Sequence, residues 1–150
     1  MELSKFLVKA KVSTYASAGE GGERKLDDGG RELVYEEGTW KYRDRYFGFN
    51  PFIGEEIVWK DEKIVWGMSY YGKILSEGVD AGELYGFLKK ALARVEESIP
   101  FRGPKTFIED DFSYRNSSRG SVEEFHGVEM ILQRGVRVFE LTYHGGVVKK

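Results

Sequence analysis

The stretch RELVYEEGTWKYRDRYFGFNPFIGEEIVWKDEKIVWGMSYYG, Arg31–Gly72, decides the fold of this chain. Polar and apolar residues alternate along it, with breaks at Glu37-Gly38 and Asp61-Glu62, and this pattern predicts two consecutive β-hairpins. The stretch contains all three tryptophans of the chain, which are Trp40, Trp59 and Trp66. It carries no catalytic signature, so it predicts a sheet with an aromatic face rather than an activity.

The second hairpin has the clearer pattern. With Asp61-Glu62 as a two-residue turn, Trp59 pairs with Ile64 and Ile57 pairs with Trp66, and paired side chains share a face. The predicted core face then consists of Glu55, Ile57, Trp59, Ile64, Trp66, Met68 and Tyr70. Glu55 would be a carboxylate on an apolar face, which makes it a candidate general acid or polar ligand contact. The alternative is a solvent-exposed strand end after Gly54.

The first hairpin, with Glu37-Gly38 as its turn, places Leu33 opposite Tyr42 and Arg31 opposite Asp44. Tyr46 extends the same face, so an aromatic surface ends in a carboxylate that could orient a small ligand with a polar head. Neutralisation of Asp44 by Arg31 is the structural alternative. The aromatic residues of both hairpins fit either a stacking surface or ordinary core packing.

Length and composition limit the class of protein. The 150 residues, 41% hydrophobic and 32% charged, suit one soluble domain over residues 1–150. A net charge of −2 gives no general attraction to nucleic acid or to a membrane surface. The lack of cysteine excludes disulfides and thiolate chemistry. No signal peptide or membrane-spanning segment is apparent, so we expect a cytoplasmic protein.

Helical spacing of apolar residues predicts two helices, a short one over residues 2–12 and a second over about residues 80–98 that begins with a capping box at Asp80. The Gly-rich, charged residues 16–30 between the first helix and the hairpins predict a mobile loop. We find no internal repeat in the sequence.

The C-terminal third predicts further strands, including a hairpin around Arg134-Gly135. That turn places Val128 and Met130 on the buried face and sets His126 opposite Tyr143 at its end.

His126 and His144 are the two histidines of the chain, and they lack the spacing of a metal-binding motif. A histidine at the end of an apolar strand usually has a structural hydrogen bond, and we expect neither a metal nor a cofactor.

Several stretches resemble a family of uncharacterised prokaryotic domains known as domain of unknown function 5680. They are FLVKAKVSTYAS, YRDRYFGFNPFIGEEIVW, WGMSYYGKIL, IPFRGPKTF and ELTYHGGVVK, in that order along nearly the whole chain. The resemblance implies no activity and no catalytic residue. Members of this kind stand alone or follow a helix-turn-helix domain, which implies a sensing or interaction role, although no DNA-reading helix pair precedes the domain here.

We therefore expect an α+β fold, in which two helices pack on one curved antiparallel sheet of six or seven strands. The leading hypothesis is a non-catalytic domain that binds a small ligand or senses an effector. Its expected site residues are Trp40, Tyr42, Asp44, Tyr46, Glu55, Trp66, Tyr70, His126 and Tyr143. One alternative is an interaction or homodimerisation module. A second is a metal-independent hydrolase or isomerase that uses Glu55 or Asp44 with His126.

Overall fold

The computed structural model describes residues 1–17 and 23–150, and the side chains of residues 1–14 and 23–150. Its two helices are α1 (Leu3–Ser17) and α2 (Ala81–Leu92). Its strands are β1 (Arg24–Lys25), β2 (Arg31–Glu37), β3 (Trp40–Gly48), β4 (Phe52–Lys60), β5 (Lys63–Ile74), β6 (Thr106–Glu109), β7 (Phe112–Ser121), β8 (Glu124–Gln133) and β9 (Val136–Val147).

The described strands form one antiparallel sheet in the order β1-β2-β3-β4-β5-β9-β8-β7-β6. The prediction of an α+β fold with two helices and a large antiparallel sheet is confirmed. The predicted number of six or seven strands is wrong, because the sheet has nine. Short edge strands account for the difference: β1 has only two residues, and a turn at Asp110-Asp111 separates β6 from β7.

Both helices pack on the same face of the sheet, which we call the helix face; the other is the open face. The buried residues Phe6, Leu7 and Ala10 of α1 and Phe87, Leu88 and Ala91 of α2 belong to one continuous core cluster with the sheet. Asp80 caps α2 as predicted, since its Oδ1 accepts a hydrogen bond of 2.9 Å from the backbone N–H of Glu83.

The predicted limits of three segments need correction. Helix α1 extends beyond residue 12 to Ser17, and α2 ends at Leu92 rather than near 98. Past Leu92 the chain tightens into turns, in which Val95 N–H donates to the Leu92 carbonyl and Val95 still reaches the core. The predicted mobile loop 16–30 overlaps α1 and β1, while its residues 18–22 lie outside the described part of the chain.

The first hairpin turns at Gly38-Thr39, one residue later than predicted, so Tyr35 pairs with Tyr42 and Leu33 with Asp44. The pairing is shifted by two residues from the prediction. Because side chains alternate with a period of two, this error leaves every side chain on its predicted face.

The other two hairpins have the predicted turns but contain bulges that the turns do not reveal. Asp61 and Glu62 have positive φ angles, as do Arg134 and Gly135, in keeping with two-residue hairpin turns. One extra residue then shifts the pairing, so that Val58 pairs with Trp66 and Ile131 pairs with Phe139. A shift of one residue moves every later side chain to the other face of the sheet.

The bulges overturn several predicted positions. Trp66, Met68 and Tyr70 share the helix face with Glu56, while Glu55 and Ile57 lie on the open face. Trp59 also lies on the open face, between Lys41 and Arg43, whose charged groups are 5.5 and 5.0 Å from its ring centre.

The same correction applies to β8 and β9. Val128, Met130 and His126 lie on the open face, Glu129 and Ile131 are buried on the helix face, and His126 pairs with His144 rather than with Tyr143.

The expectation of a chain without an internal repeat is wrong as well. Each half consists of a helix followed by a four-strand meander, α1 with β2–β5 and α2 with β6–β9. The two meanders join through β5 and β9, where Tyr70 pairs with Tyr143 at the centre of a local two-fold axis. We call these the first half and the second half.

The two-fold relation extends to single residues. Phe6 lies 5.0 Å from Trp40 and 5.9 Å from Tyr35, and in the second half Phe87 lies 5.1 Å from Phe112 and 5.4 Å from Phe107. The short sequences FLVKA and FLKKA, YRD and YRN, and GEEIV and GVEMI occupy equivalent positions. The ion pairs Lys9–Glu37 and Lys90–Glu109 are equivalent too.

Candidate functional site

Buried polar residues of the helix face form one layer in each half. In the second half, Arg102 binds Glu129 with two hydrogen bonds, of 3.1 and 2.9 Å. The hydroxyl of Tyr114 also donates to Glu129, and Tyr143 donates to Asn116 at 2.7 Å. This layer therefore contains one buried acid and one buried base, and both oxygens of the acid are used.

The first half repeats this layer with different residues. Lys11 donates to Glu56 at 2.5 Å and to the carbonyl of Phe101 at 2.6 Å, and its ammonium group lies 5.8 Å from the ring centre of Trp66. Tyr70 donates to Asp44 at 2.6 Å. Asp44 occupies the position of Asn116, so this layer contains two acids and one base.

The extra acid lacks a close counter-ion. Within residues 1–17 and 23–150, no basic nitrogen lies within ion-pair distance of Asp44, although the side chain is only 3% exposed. Burial, reinforced by the neighbouring charge of Glu56, raises the pKa of Asp44 to about 7. The Oε2 atom of Glu56 is also buried and has no hydrogen-bond partner among the described residues. Of the two acids of the first half, Glu56 therefore has an ion-pair partner among the described residues and Asp44 has none.

A cavity of about 300 Å³ opens above Asp44, and we call it the open slot. The sheet of the first half, helix α2 and Arg102 enclose it. Its lining residues are Glu23, Leu33, Asp44, Tyr46, Gly48, Phe49, Phe52, Tyr70, Tyr85, Leu88, Lys89, Leu92 and Arg102. Most of this lining is apolar or aromatic, and its buried charged groups are Asp44 and Arg102. The Arg102 guanidinium lies 5.3 Å from the ring centre of Tyr70.

Hydrogen bonds fix the rim of the open slot. Tyr85 of α2 donates to the carbonyl of Phe49 at 2.6 Å and its ring packs edge-on against Phe49. Tyr46 donates to Glu23 at 2.6 Å. Burial raises the pKa of Tyr85 to about 12 and, together with Glu23, raises that of Tyr46, so both hydroxyls stay protonated at neutral pH. The rim therefore joins three parts of the chain, which are helix α2, the β3–β4 connection and the segment that precedes β1.

At the equivalent position in the second half lies the ring of Phe101. The Phe101 ring stacks on Phe125 with ring centres 3.8 Å apart and lies 6.2 Å from Tyr143. Phe125 and Tyr143 are the equivalents of Phe52 and Tyr70. We call this position the filled slot.

The structure brings together three of the residues predicted for a ligand site, Asp44, Tyr46 and Tyr70, which all line the open slot. Tyr143 lies at the filled slot, where burial raises its pKa to about 12.

The remaining predicted site residues lie elsewhere. Trp40, Tyr42 and Trp66 are buried core residues, and the indole N–H of Trp66 donates to the Val122 carbonyl. Glu55 and His126 are exposed on the open face, three strands apart, so neither meets Asp44. The catalytic alternative requires two of the groups Glu55, Asp44 and His126 to lie within hydrogen-bond distance of each other. These three groups do not converge in this way.

Sequence reasoning missed Lys11, Glu56, Arg102 and Glu129. A signal was present for Lys11, which follows Leu7 by one helical turn on the apolar side of α1. Arg102 stands in an otherwise apolar stretch, IPFRGP, which gives a weaker signal. Glu56 and Glu129 could not be identified, because each is placed on the helix face by a bulge.

Two kinds of feature are absent from the described residues. No group of three or more potential metal ligands occurs among them. None of their helices has the length and apolar character needed to cross a membrane.

Fold and cavity together define a duplicated α+β domain in which one of two equivalent slots is open. The family model for Domain of unknown function (DUF5680) matches residues 44–148, from within β3 to the end of the sheet. The chain belongs to this family. Neither a curated protein nor a solved structure matches it.

Proposed function

We propose that this protein is a non-catalytic domain that binds a small molecule in the open slot. The observation that carries this proposal is an apolar cavity of about 300 Å³ with a buried carboxylate at its floor. Protein cores are packed densely enough that few voids exceed the size of a water molecule, whereas ligand sites begin at roughly this volume.

The equivalent half of the same chain supports a functional origin for the cavity. There the same strand framework holds the buried ring of Phe101, stacked on Phe125, at the equivalent position. The framework is therefore compatible with a closed core, and the cavity is a property of the side chains in one half.

The lining favours binding over catalysis. It contains neither histidine nor serine among the described residues, and its carboxylate already accepts a hydrogen bond from Tyr70. The proposal involves no metal and no cofactor. A regulatory role follows if ligand binding changes the rim formed by Tyr46, Phe49 and Tyr85, which connects three segments of the chain.

Native mass spectrometry of freshly purified protein tests the proposal. We expect a bound mass that disappears on denaturation and is absent from Leu92→Phe, which enlarges a wall of the open slot. Tyr71→Phe, on the open face, is the control and should retain the bound mass. An empty wild-type protein that also shows no thermal shift with any member of a fragment library would refute the proposal.

The open face supports self-association as a second candidate function. Phe47, Ile53 and Tyr71 form an exposed row across β3, β4 and β5, with exposures of 36, 53 and 48%. Val128, 39% exposed, continues the row on β8, beyond Thr142 of β9. The positions equivalent to Phe47, Ile53 and Tyr71 in the second half hold Arg119, His126 and His144.

A second copy of the chain could therefore set its Arg119, His126 and His144 against this exposed row, where the Arg119 guanidinium can form a cation–π contact with Phe47 or Tyr71. Sedimentation velocity over a hundred-fold range of concentration tests this candidate. We expect a dimer that Tyr71→Ser dissociates and Tyr85→Phe leaves intact. A wild-type monomer at all concentrations would eliminate this candidate.

A further inference from the structure

The filled slot shows what the framework accepts in this position. The linker that follows α2, residues 93–105, stacks the ring of Phe101 on Phe125 beside Tyr143 and brings Arg102 to Glu129. An aromatic ring and a cation from adjacent residues thus complete the second half. The Phe101 ring is the chain's own occupant of the filled slot, while Arg102 binds Glu129 and also lines the open slot.

The first half cannot supply an equivalent occupant from its own linker. Residues 18–30, the linker of the same length after α1, read AGEGGERKLDDGG and contain no aromatic residue. Phe52, the counterpart of Phe125, lies at the wall of the open slot, with its ring 6.1 Å from Tyr70 and 6.1 Å from Tyr85. The stacking position that Phe101 fills in the second half is part of the cavity in the first.

Charge is missing from the first half together with the ring. Glu129 uses both oxygens with Arg102 and Tyr114, whereas Glu56 uses one with Lys11 and its Oε2 atom has no partner among the described residues. The position of neutral Asn116 holds Asp44 in the first half. A positively charged donor beside Asp44 would restore the balance found in the second half.

We propose that the open slot binds an arylalkylamine, with its aromatic ring against Phe52 and its protonated amine beside Asp44. This inference rests on the proposed function and specifies the chemical class of the ligand. The amine would donate to the Asp44 carboxylate, a charge-assisted hydrogen bond in a buried site. The ring would gain the stacking that Phe101 has on Phe125.

The other charged groups at the slot are consistent with this choice. Arg102 is bound to Glu129, and Glu23 is bound to Tyr46 and to Arg31. Lys89 is exposed at the rim, away from the buried floor. A ligand with a carboxylate instead of an amine would have to place it near Asp44 and Glu56 or turn it toward Arg102 or Lys89, and the experiment separates these cases.

Isothermal titration calorimetry at pH 8 with 2-phenylethylamine, 3-phenylpropionate and 2-cyclohexylethylamine tests the assignment. We expect 2-phenylethylamine to bind at least about ten-fold more tightly than either other compound, a difference of about 1.4 kcal/mol. Asp44→Asn should weaken its binding by about ten-fold or more, since the charged acceptor is lost. Glu55→Gln removes the same charge from the open face and should leave binding unchanged.

Equal or tighter binding of 3-phenylpropionate, or unchanged binding in Asp44→Asn, would overturn the inference, and so would the absence of binding by all three probes. The proposed function would survive these results if native mass spectrometry showed a bound mass that Leu92→Phe removes. The two proposals can therefore fail separately.

Discussion

The two halves of this protein share one framework and differ in what completes it. In the second half Phe101 and Arg102 come from the chain itself, and the polar layer is balanced. In the first half the ring position is a cavity and Asp44 adds an acid where the second half has Asn116. The residues that form the fold are present in both halves. The residues that distinguish the candidate site occur in one half and are few.

Removal of the ring from the filled slot should have the largest effect. Phe101→Ala creates a cavity in the second half, and we expect the free energy of unfolding to fall by about 3–5 kcal/mol, as for other buried phenylalanines. Urea unfolding of wild type and variant measures the change, and added benzene should restore part of it by filling the new space. A loss of unfolding free energy below about 1 kcal/mol would contradict the role of Phe101 as the side chain that fills the slot of the second half.

The contribution of Asp44 to stability should depend on pH. The folded-state pKa of Asp44, about 7, exceeds its ordinary value of 3.8. Stability from this group is therefore fully present below about pH 4 and is lost as pH rises through 7. Asp44→Asn should abolish this component and exceed wild type in stability at pH 8 by on the order of 2–4 kcal/mol.

Urea unfolding of both proteins at pH 5 and pH 8, with the difference between them compared, measures the effect, since other titrating groups cancel. Glu55→Gln is the matched control. An Asp44→Asn variant whose advantage does not grow with pH would contradict the assignment of a buried, uncompensated charge to the first half.

Removal of the hydroxyls of Tyr70 and Tyr143 should lower the free energy of unfolding by different amounts in the two halves. Tyr70 donates to a carboxylate, and Tyr143 donates to an amide oxygen. Hydrogen bonds to charged groups contribute roughly 1.5–3 kcal/mol, against 0.5–1.5 kcal/mol for neutral ones. At pH 8 Tyr70→Phe should therefore lower the free energy of unfolding more than Tyr143→Phe. At pH 5, where Asp44 is protonated, Tyr70→Phe and Tyr143→Phe should lower the free energy of unfolding by similar amounts. If the difference between the two variants is the same at pH 5 and pH 8, the charge of Asp44 does not strengthen the Tyr70 hydrogen bond.

The smallest effects should come from residues on the open face that the sequence suggested for chemistry. Glu55→Gln and His126→Asn replace exposed side chains, so each should change the free energy of unfolding by less than about 0.5 kcal/mol. Neither substitution should alter ligand binding in the open slot. A larger effect of either on binding would place part of the site on the open face.

Much of the fold was predictable because local patterns specify it. The helix starts, the strands of both early hairpins and the turns at Asp61-Glu62 and Arg134-Gly135 follow from alternation, capping and turn chemistry. The shift of two residues in the first hairpin did not affect the assignment of faces, so Asp44 and Tyr46 share one face of that hairpin as predicted.

The rest depended on features without a local signal. A bulge near each of two turns changed which of Glu55 and Glu56 is buried, and likewise moved His126 to the open face. Arg102 comes to Glu129 only through tertiary structure. The repeat was hidden because the matching sequences are only three to five residues long and the spacing between copies differs for helices and strands.

The pairing of β5 with β9 has a consequence for how such a protein can change over generations. Two separate copies of one half, joined through this pair, would form a symmetric dimer whose two slots had identical sequences. Any substitution would then appear in both slots at once. In a single fused chain each slot mutates alone, so one can serve stability while the other specialises.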